Sequence, residues 1–390
     1  MTHRPFSLYV HVPFCSQKCP YCDFNTYAVA RVPDEEYTEA LLRELESWAC
    51  DPRFSGRSIG TIFFGGGTPS LLKPASLQKV VDRARNLFGV LSGAEITLEA
   101  NPSTPSRKLY EEFAAAGINR VSFGVQSFDP DRLLLLGRDH SREDAIQAVE
   151  LASQAGIADV SVDLIFGVSG QTIEGLQRDI DTACALPISH LSTYALTIEP
   201  GTPFFQRQER GLLAAPPDDL VAEMLQFIPQ RVAGYGLSRY EISNYSKPGR
   251  HSRHNEVYWT GGDYLGIGAG AHSYVARFEG KRLVSGDRWS TLAQPQAYID
   301  GTKDAKMISW RESLAPQALQ FEFFYLGLRR MAGVSLQEFH DKFGGEAQER
   351  FSKIISELTS EGYVRVDGDV VTLTTDGIAL ADSVYERFIS

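Results

Sequence analysis

Between Leu8 and Ile198, short apolar runs alternate with segments of helical period. Leu8–Val12, Ile59–Phe64, Glu95–Glu99, Arg120–Gln126, Val160–Phe166 and His190–Ile198 read as strands. Between them, 35–48, 77–88, 105–116, 142–155 and 173–185 carry apolar residues at helical spacing. Gly117 and Gly156 close two of these helices. Six such units predict a parallel sheet whose faces are covered by helices. The number of units points to a partial, open (β/α)6 barrel, with a complete eight-unit barrel as the alternative. In either, loops at the strand C-termini build the site.

The loop after the first strand reads Cys15-Ser16-Gln17-Lys18-Cys19-Pro20-Tyr21-Cys22, a Cys-x3-Cys-x2-Cys spacing. Three thiolates so placed can hold one face of a four-iron cluster and leave the fourth iron without a protein ligand. A disulfide with a spare thiol and a zinc site completed by a distant ligand are the alternatives. Cys50 and Cys184 stand alone and are assigned no role.

Gly65-Gly66-Gly67-Thr68-Pro69 follows the second strand, where glycine lets the backbone approach a ligand. Glu99 ends the third strand and Gln126 the fourth. Asp163 lies among apolar residues of the fifth, where a carboxylate needs a partner, and Arg138 is the expected one. His254-Asn255-Glu256-Val257-Tyr258-Trp259 groups an imidazole with two large aromatic rings, suited to a haem iron and its ring. His251 and His272 are secondary candidates for the iron.

The cysteine spacing, with Tyr9-Val10-His11-Val12-Pro13-Phe14 before it, resembles the radical S-adenosylmethionine (SAM) superfamily. Within it the chain resembles the anaerobic coproporphyrinogen III oxidase-like family, most closely its haem-chaperone (HemW-type) branch. The resemblance implies a [4Fe-4S] cluster on Cys15, Cys19 and Cys22, and SAM held by Tyr9, Tyr21, Gly66, Gly67, Thr68, Glu99, Gln126, Arg138, Asp163 and Ala195. It implies haem contact at His254, Asn255, Tyr258 and Trp259. The partners implied are haem, haem-acceptor proteins and an electron donor. The competing activity is oxidative decarboxylation of coproporphyrinogen III. Two departures weigh against it: Phe24 stands where that enzyme branch has a fourth cysteine, and few residues precede the first strand.

Residues 1–200 are expected to form the barrel, and 201–309 its extension and the tetrapyrrole region. Residues 310–390 are expected to form a winged-helix-like α+β unit, with Asp367-Gly368 turning its hairpin. A winged helix suggests DNA, but from Trp310 onward eight Lys or Arg face thirteen Asp or Glu, and the whole chain carries −11. Phosphate binding needs clustered cations, so nucleic acid is excluded as the main partner. No apolar run spans a membrane and no signal-peptide pattern opens the chain. The expectation is a cytoplasmic protein, with peripheral membrane contact left open.

Overall fold

The computed structural model describes residues 4–389. The expected strands form in order: β1 (Phe6–Val12), β2 (Ile59–Gly66), β3 (Val90–Ala100), β4 (Arg120–Gln126), β5 (Asp159–Phe166) and β6 (His190–Ala195). They lie side by side in chain order, all parallel. All but one residue of β1 are buried, as for a strand covered on both faces. The helices Asp34–Ala49, Pro74–Phe88, Arg107–Ala115, Arg142–Gln154 and Ile173–Ala185 cross over between them. Side-chain caps at Ser106, Ser141 and Thr172 start the last three; at Ser141 the side chain accepts from the Asp144 N–H and the Asp144 carboxylate accepts in return.

The sheet continues beyond the six units on both sides. Past β6 lie β8 (Asn244–Ser246) and then β7 (Ser238–Glu241), both antiparallel to their inner neighbours. Past β1 comes β9 (Tyr264–Ile267), parallel to it, with Ser7 opposite Tyr264. An antiparallel meander follows: β10 (His272–Glu279), β11 (Arg282–Thr291) and β12 (Ile308–Leu314). The expected boundary at 309/310 is corrected by this meander. Ser290 pairs with Trp310 and Gly286 with Leu314, so the main sheet runs on to Leu314.

The C-terminal unit has its own core, in which Phe324 touches Phe339, Phe351 and Phe388, the last stacked at 4.6 Å. The hairpin Val364–Asp367 and Val370–Leu373 forms as expected, with Val334–Ser335 as a third strand. The described chain closes with two short helices, Thr375–Ala379 and Ala381–Glu386, broken at Leu380. No helix among the described residues is long and apolar enough to cross a membrane.

The turn between β9 and β10 is pinned beneath the cysteine loop. Gly268 has φ +98°, and a Cβ there would lie 2.3 Å from the His11 carbonyl oxygen and 2.9 Å from the Tyr37 hydroxyl. The fully buried Glu44 holds this turn, accepting from Gly268 N–H at 3.0 Å, the Tyr298 hydroxyl at 2.6 Å and the Trp48 indole at 3.2 Å. Gly268→Ala should therefore destabilise the chain by about 2–4 kcal/mol, because both the φ value and the close approach are lost. Urea unfolding measures this; a midpoint equal to wild type would contradict it.

Candidate cofactor and ligand site

The cysteine loop leaves β1 at Pro13 and is closed at its base by a two-rung parallel ladder, Phe14 with Tyr27 and Cys15 with Ala28. Gly67 N–H donates to the Val12 carbonyl and Thr68 N–H to that of Phe14. A Cβ on Gly67 would meet the Phe14 oxygen at 2.6 Å and the Cys15 sulfur at 3.0 Å, so only glycine admits the loop here. The Asn25 side chain donates to the carbonyls of Ala269 and Ala293.

All three thiols are free and half-buried, and they line one cavity of about 530 Å³ at the C-terminal end of the barrel strands. Among the described residues, no three His, Cys, Asp or Glu side chains converge on one ion-sized point. Three thiols lining one cavity are the donor set of a four-iron cluster with one iron left to another ligand. Burial pushes the Cys15 and Cys22 thiols up, with hydrogen bonds from Thr68 and Thr26 opposing at Cys15. Arg138 supplies local positive charge, its guanidinium 3.3 Å from the Cys19 sulfur. The donor set and its setting thus fit an iron–sulfur cluster.

Two carboxyls, Glu99 and Asp163, also line this cavity. Glu99 accepts from Gly66 N–H at 3.0 Å, and burial followed by the nearby Asp163 raises its carboxyl to about 7. Asp163 is also pushed up by burial, against hydrogen bonds from Ser192 and Ser122, the latter at 3.0 and 3.1 Å. The expected Arg138–Asp163 pair does not form. Arg138 instead donates to the Asn101 side chain at 3.0 Å and the Gly124 carbonyl at 2.8 Å, while its Nε, buried, has no partner. Gln126 adopts φ +68°, a strained value for a side-chain-bearing residue, where the β4–β5 register shifts. That strain sits in the cavity wall, which Tyr21, Thr68 and Ala195 also line.

Nine of the ten residues expected to contact SAM line this cavity; Tyr9 does not. Its hydroxyl donates to His11 Nδ1 at 2.9 Å, because His11 Nε2 must carry the proton given to the Asn25 carbonyl at 3.0 Å. Sequence reasoning gave no role to Asn101 or Asp139, which orient Arg138 and each other across the mouth. The only signal was the position of Asn101, two residues past Glu99.

The His254–Trp259 stretch lies on a helix, Arg253–Trp259, toward the N-terminal half of the strands. Its first two N–H groups donate to Glu95, midway along β3. His254 is 1 % exposed and stacks on Phe63, which stacks on Tyr9. Thr61 gives its hydroxyl proton to Ser7, so His254 Nδ1–H donates to Thr61 at 2.7 Å. Nε2 then accepts from the Tyr258 hydroxyl at 2.9 Å. Both nitrogens are occupied, burial lowers the imidazole to about 3, and the ring offers nothing to an iron in this conformation. Tyr258 and Trp259 line a second cavity of about 180 Å³, between the sheet extension and the C-terminal helices. The indole N–H of Trp259 is buried there without a partner, and Asn255 lies half-buried beside it on the same helix.

Two outcomes follow from this geometry. Cys15→Ala, reconstituted without oxygen, should lose most of its iron on direct assay; unchanged iron would refute the thiol assignment. Glu99 is raised in the folded chain, so it binds its proton more tightly there than when unfolded. Wild type should then lose stability as pH rises from about 4.5 through about 7. Glu99→Gln should be more stable than wild type near pH 8, by on the order of 1–3 kcal/mol, and equal to it near pH 4. Parallel pH profiles of unfolding would contradict this.

Residues 9–183 match the family model described as the radical SAM superfamily, and residues 314–380 that of the HemN C-terminal domain. "Heme chaperone HemW" of Bacillus subtilis is 35% identical over 98% of this chain and 99% of its own. The Escherichia coli protein of that name is 36% identical over 99% and 98%. Among solved structures, coproporphyrinogen III oxidase (HemN) from Escherichia coli, a radical SAM enzyme, superimposes with a TM-score of 0.81 at 22% identity, over 100% of this chain and 91% of that one.

Proposed function

The chain belongs to the HemW family within the radical SAM superfamily, and we infer from this that it is a haem chaperone, binding haem and passing it to acceptor proteins. The observation that carries this reading is the relationship itself, which runs the full length of both chains. The protein holds a [4Fe-4S] cluster and SAM. When bound, the cluster supplies one electron and one iron open to SAM.

Cys15, Cys19 and Cys22 hold the cluster, with Arg138 steadying the charge on Cys19. Gly66, Gly67 and Thr68 present backbone to SAM, Glu99 takes its hydroxyl or amine hydrogens, and Asp163 and Gln126 face its remaining polar atoms. Tyr21 and Ala195 bound the nucleotide, and Tyr9 supports the floor through His11. His254 fixes Tyr258, and Asn255 shares its helix; Tyr258 and Trp259 offer their aromatic faces to the haem side. The protein works in the cytoplasm, takes electrons from a separate donor and meets its acceptors there or at a membrane surface.

Coproporphyrinogen III decarboxylation is the second reading, supported by the HemN likeness of fold. Fold alone does not choose between two tetrapyrrole functions. Phe24, in the position of the enzyme branch's extra cysteine, is 63% exposed and offers no thiol.

One reconstituted sample tests both. Loaded with hemin, it should transfer haem to an apo-haemoprotein, followed by the acceptor's Soret band. Given coproporphyrinogen III, SAM and reductant without oxygen, it should form no protoporphyrinogen IX. Turnover to protoporphyrinogen IX would overturn the chaperone reading.

A further inference from the structure

We propose that haem docks on the open face of the sheet extension, with His272 as the iron ligand and Trp310 as the ring's shelf. The proposal rests on the haem-chaperone reading and assigns it a site.

The first argument is availability. Seven of the eight histidines lie among the described residues. His11, His190 and His254 are buried with both ring nitrogens bonded. His140 is buried, with Nε2 on the Val125 carbonyl. His251 is stacked on Tyr240 at 4.2 Å and bonded to Glu256. His340 bonds Gln348 within the C-terminal unit. His272 alone among them is exposed, and its ring makes no hydrogen bond within the described residues.

The second argument is surroundings. His272 pairs with Ser290, and Ser290 with Trp310, so the three side chains form one row on one face of β10, β11 and β12. The small Ser290 leaves a saddle between imidazole and indole, whose rings are 6.4 Å apart. Trp310 is 43% exposed although it is among the largest apolar side chains. A flat aromatic ligand would cover it.

The third argument is continuity. Two residues along each strand on the same face stand Tyr274 and Arg288, which line the 180 Å³ cavity of Tyr258 and Trp259. Successive same-face rows are about 7 Å apart, within the reach of one tetrapyrrole. The ring can thus lie over the saddle with one edge at that cavity. The small cavity then need not enclose the whole ligand, and a half-open site suits cargo that must leave. This row also lies at the cluster end of the sheet: Asn25 of the cysteine loop bonds the Ala269 carbonyl, three residues before His272.

Hemin titration of the full, reconstituted chain tests the site. His272→Ala and Trp310→Ala should each weaken hemin binding roughly tenfold or more, and His272→Ala should abolish the low-spin, imidazole-ligated ferric signal in electron paramagnetic resonance. Added imidazole should restore that signal in His272→Gly. Iron–sulfur content should stay at the wild-type level in each, and His340→Ala should bind hemin as wild type does. Unaltered affinity and spectrum in His272→Ala would overturn the site and leave the chaperone reading standing. Wild-type protein that binds hemin no better than serum albumin would remove both.

Discussion

His11 ties the functional end of this molecule together. It sits on the last turn of pleat before the cysteine loop, 7% exposed. Its Nε2 holds the Asn25 carbonyl in that loop, its Nδ1 takes the Tyr9 hydroxyl, and its carbonyl takes the hydroxyl of Tyr37 from the first helix. A Cβ on Gly66 would lie 2.5 Å from its ring. One imidazole therefore sets the spacing among first strand, thiol loop, glycine run and covering helix. A loop with three half-buried thiols has no core to order it, and this scaffold supplies the order instead. Without it the thiols would be free to pair or oxidise rather than share one wall.

Groups of both charge signs line the cavity. The guanidinium of Arg138 stands on the thiol side, where negative charge accumulates when thiolates bind iron. The carboxyls of Glu99 and Asp163 line the same cavity, both held up by burial. Two buried carboxyls close together disfavour each other's ionisation, and a ligand bearing positive charge would offset that. SAM, with its sulfonium and ammonium groups, has the charge that this arrangement lacks. The strained Gln126 backbone on the same wall fits a site that accepts instability to keep its geometry.

Much of this was legible in the sequence because the relevant signals are local. Near-continuous apolar strands and helix spacing define the barrel, and the nine residues named by the family resemblance that share one cavity sit at or just past its strand ends or in its loops. What was not legible depends on long-range pairing. Ser309-Trp310-Arg311-Glu312 has no apolar alternation, since β12 is an edge strand exposed along most of its length. Arg138 was matched to Asp163 because both needed a partner, yet serines answer Asp163, and Asn101 with Gly124 takes the arginine. His254 looked like a ligand because its neighbours are aromatic. Only the fold shows that Thr61, 193 residues away, takes its other nitrogen. Glu44, on a helix that reads as merely amphipathic, likewise gains its meaning from Gly268 and Tyr298.

The account stands on a thiol set that leaves room for a small molecule at the metal. The direct measurement is electron paramagnetic resonance with electron–nuclear double resonance on the reduced, oxygen-free protein, with and without SAM carrying nitrogen-15 in its amino group. The account predicts a four-iron signal that changes when SAM is added and shows coupling to the labelled nitrogen. A signal indifferent to SAM, or thiols occupied by zinc with no iron signal, would contradict it.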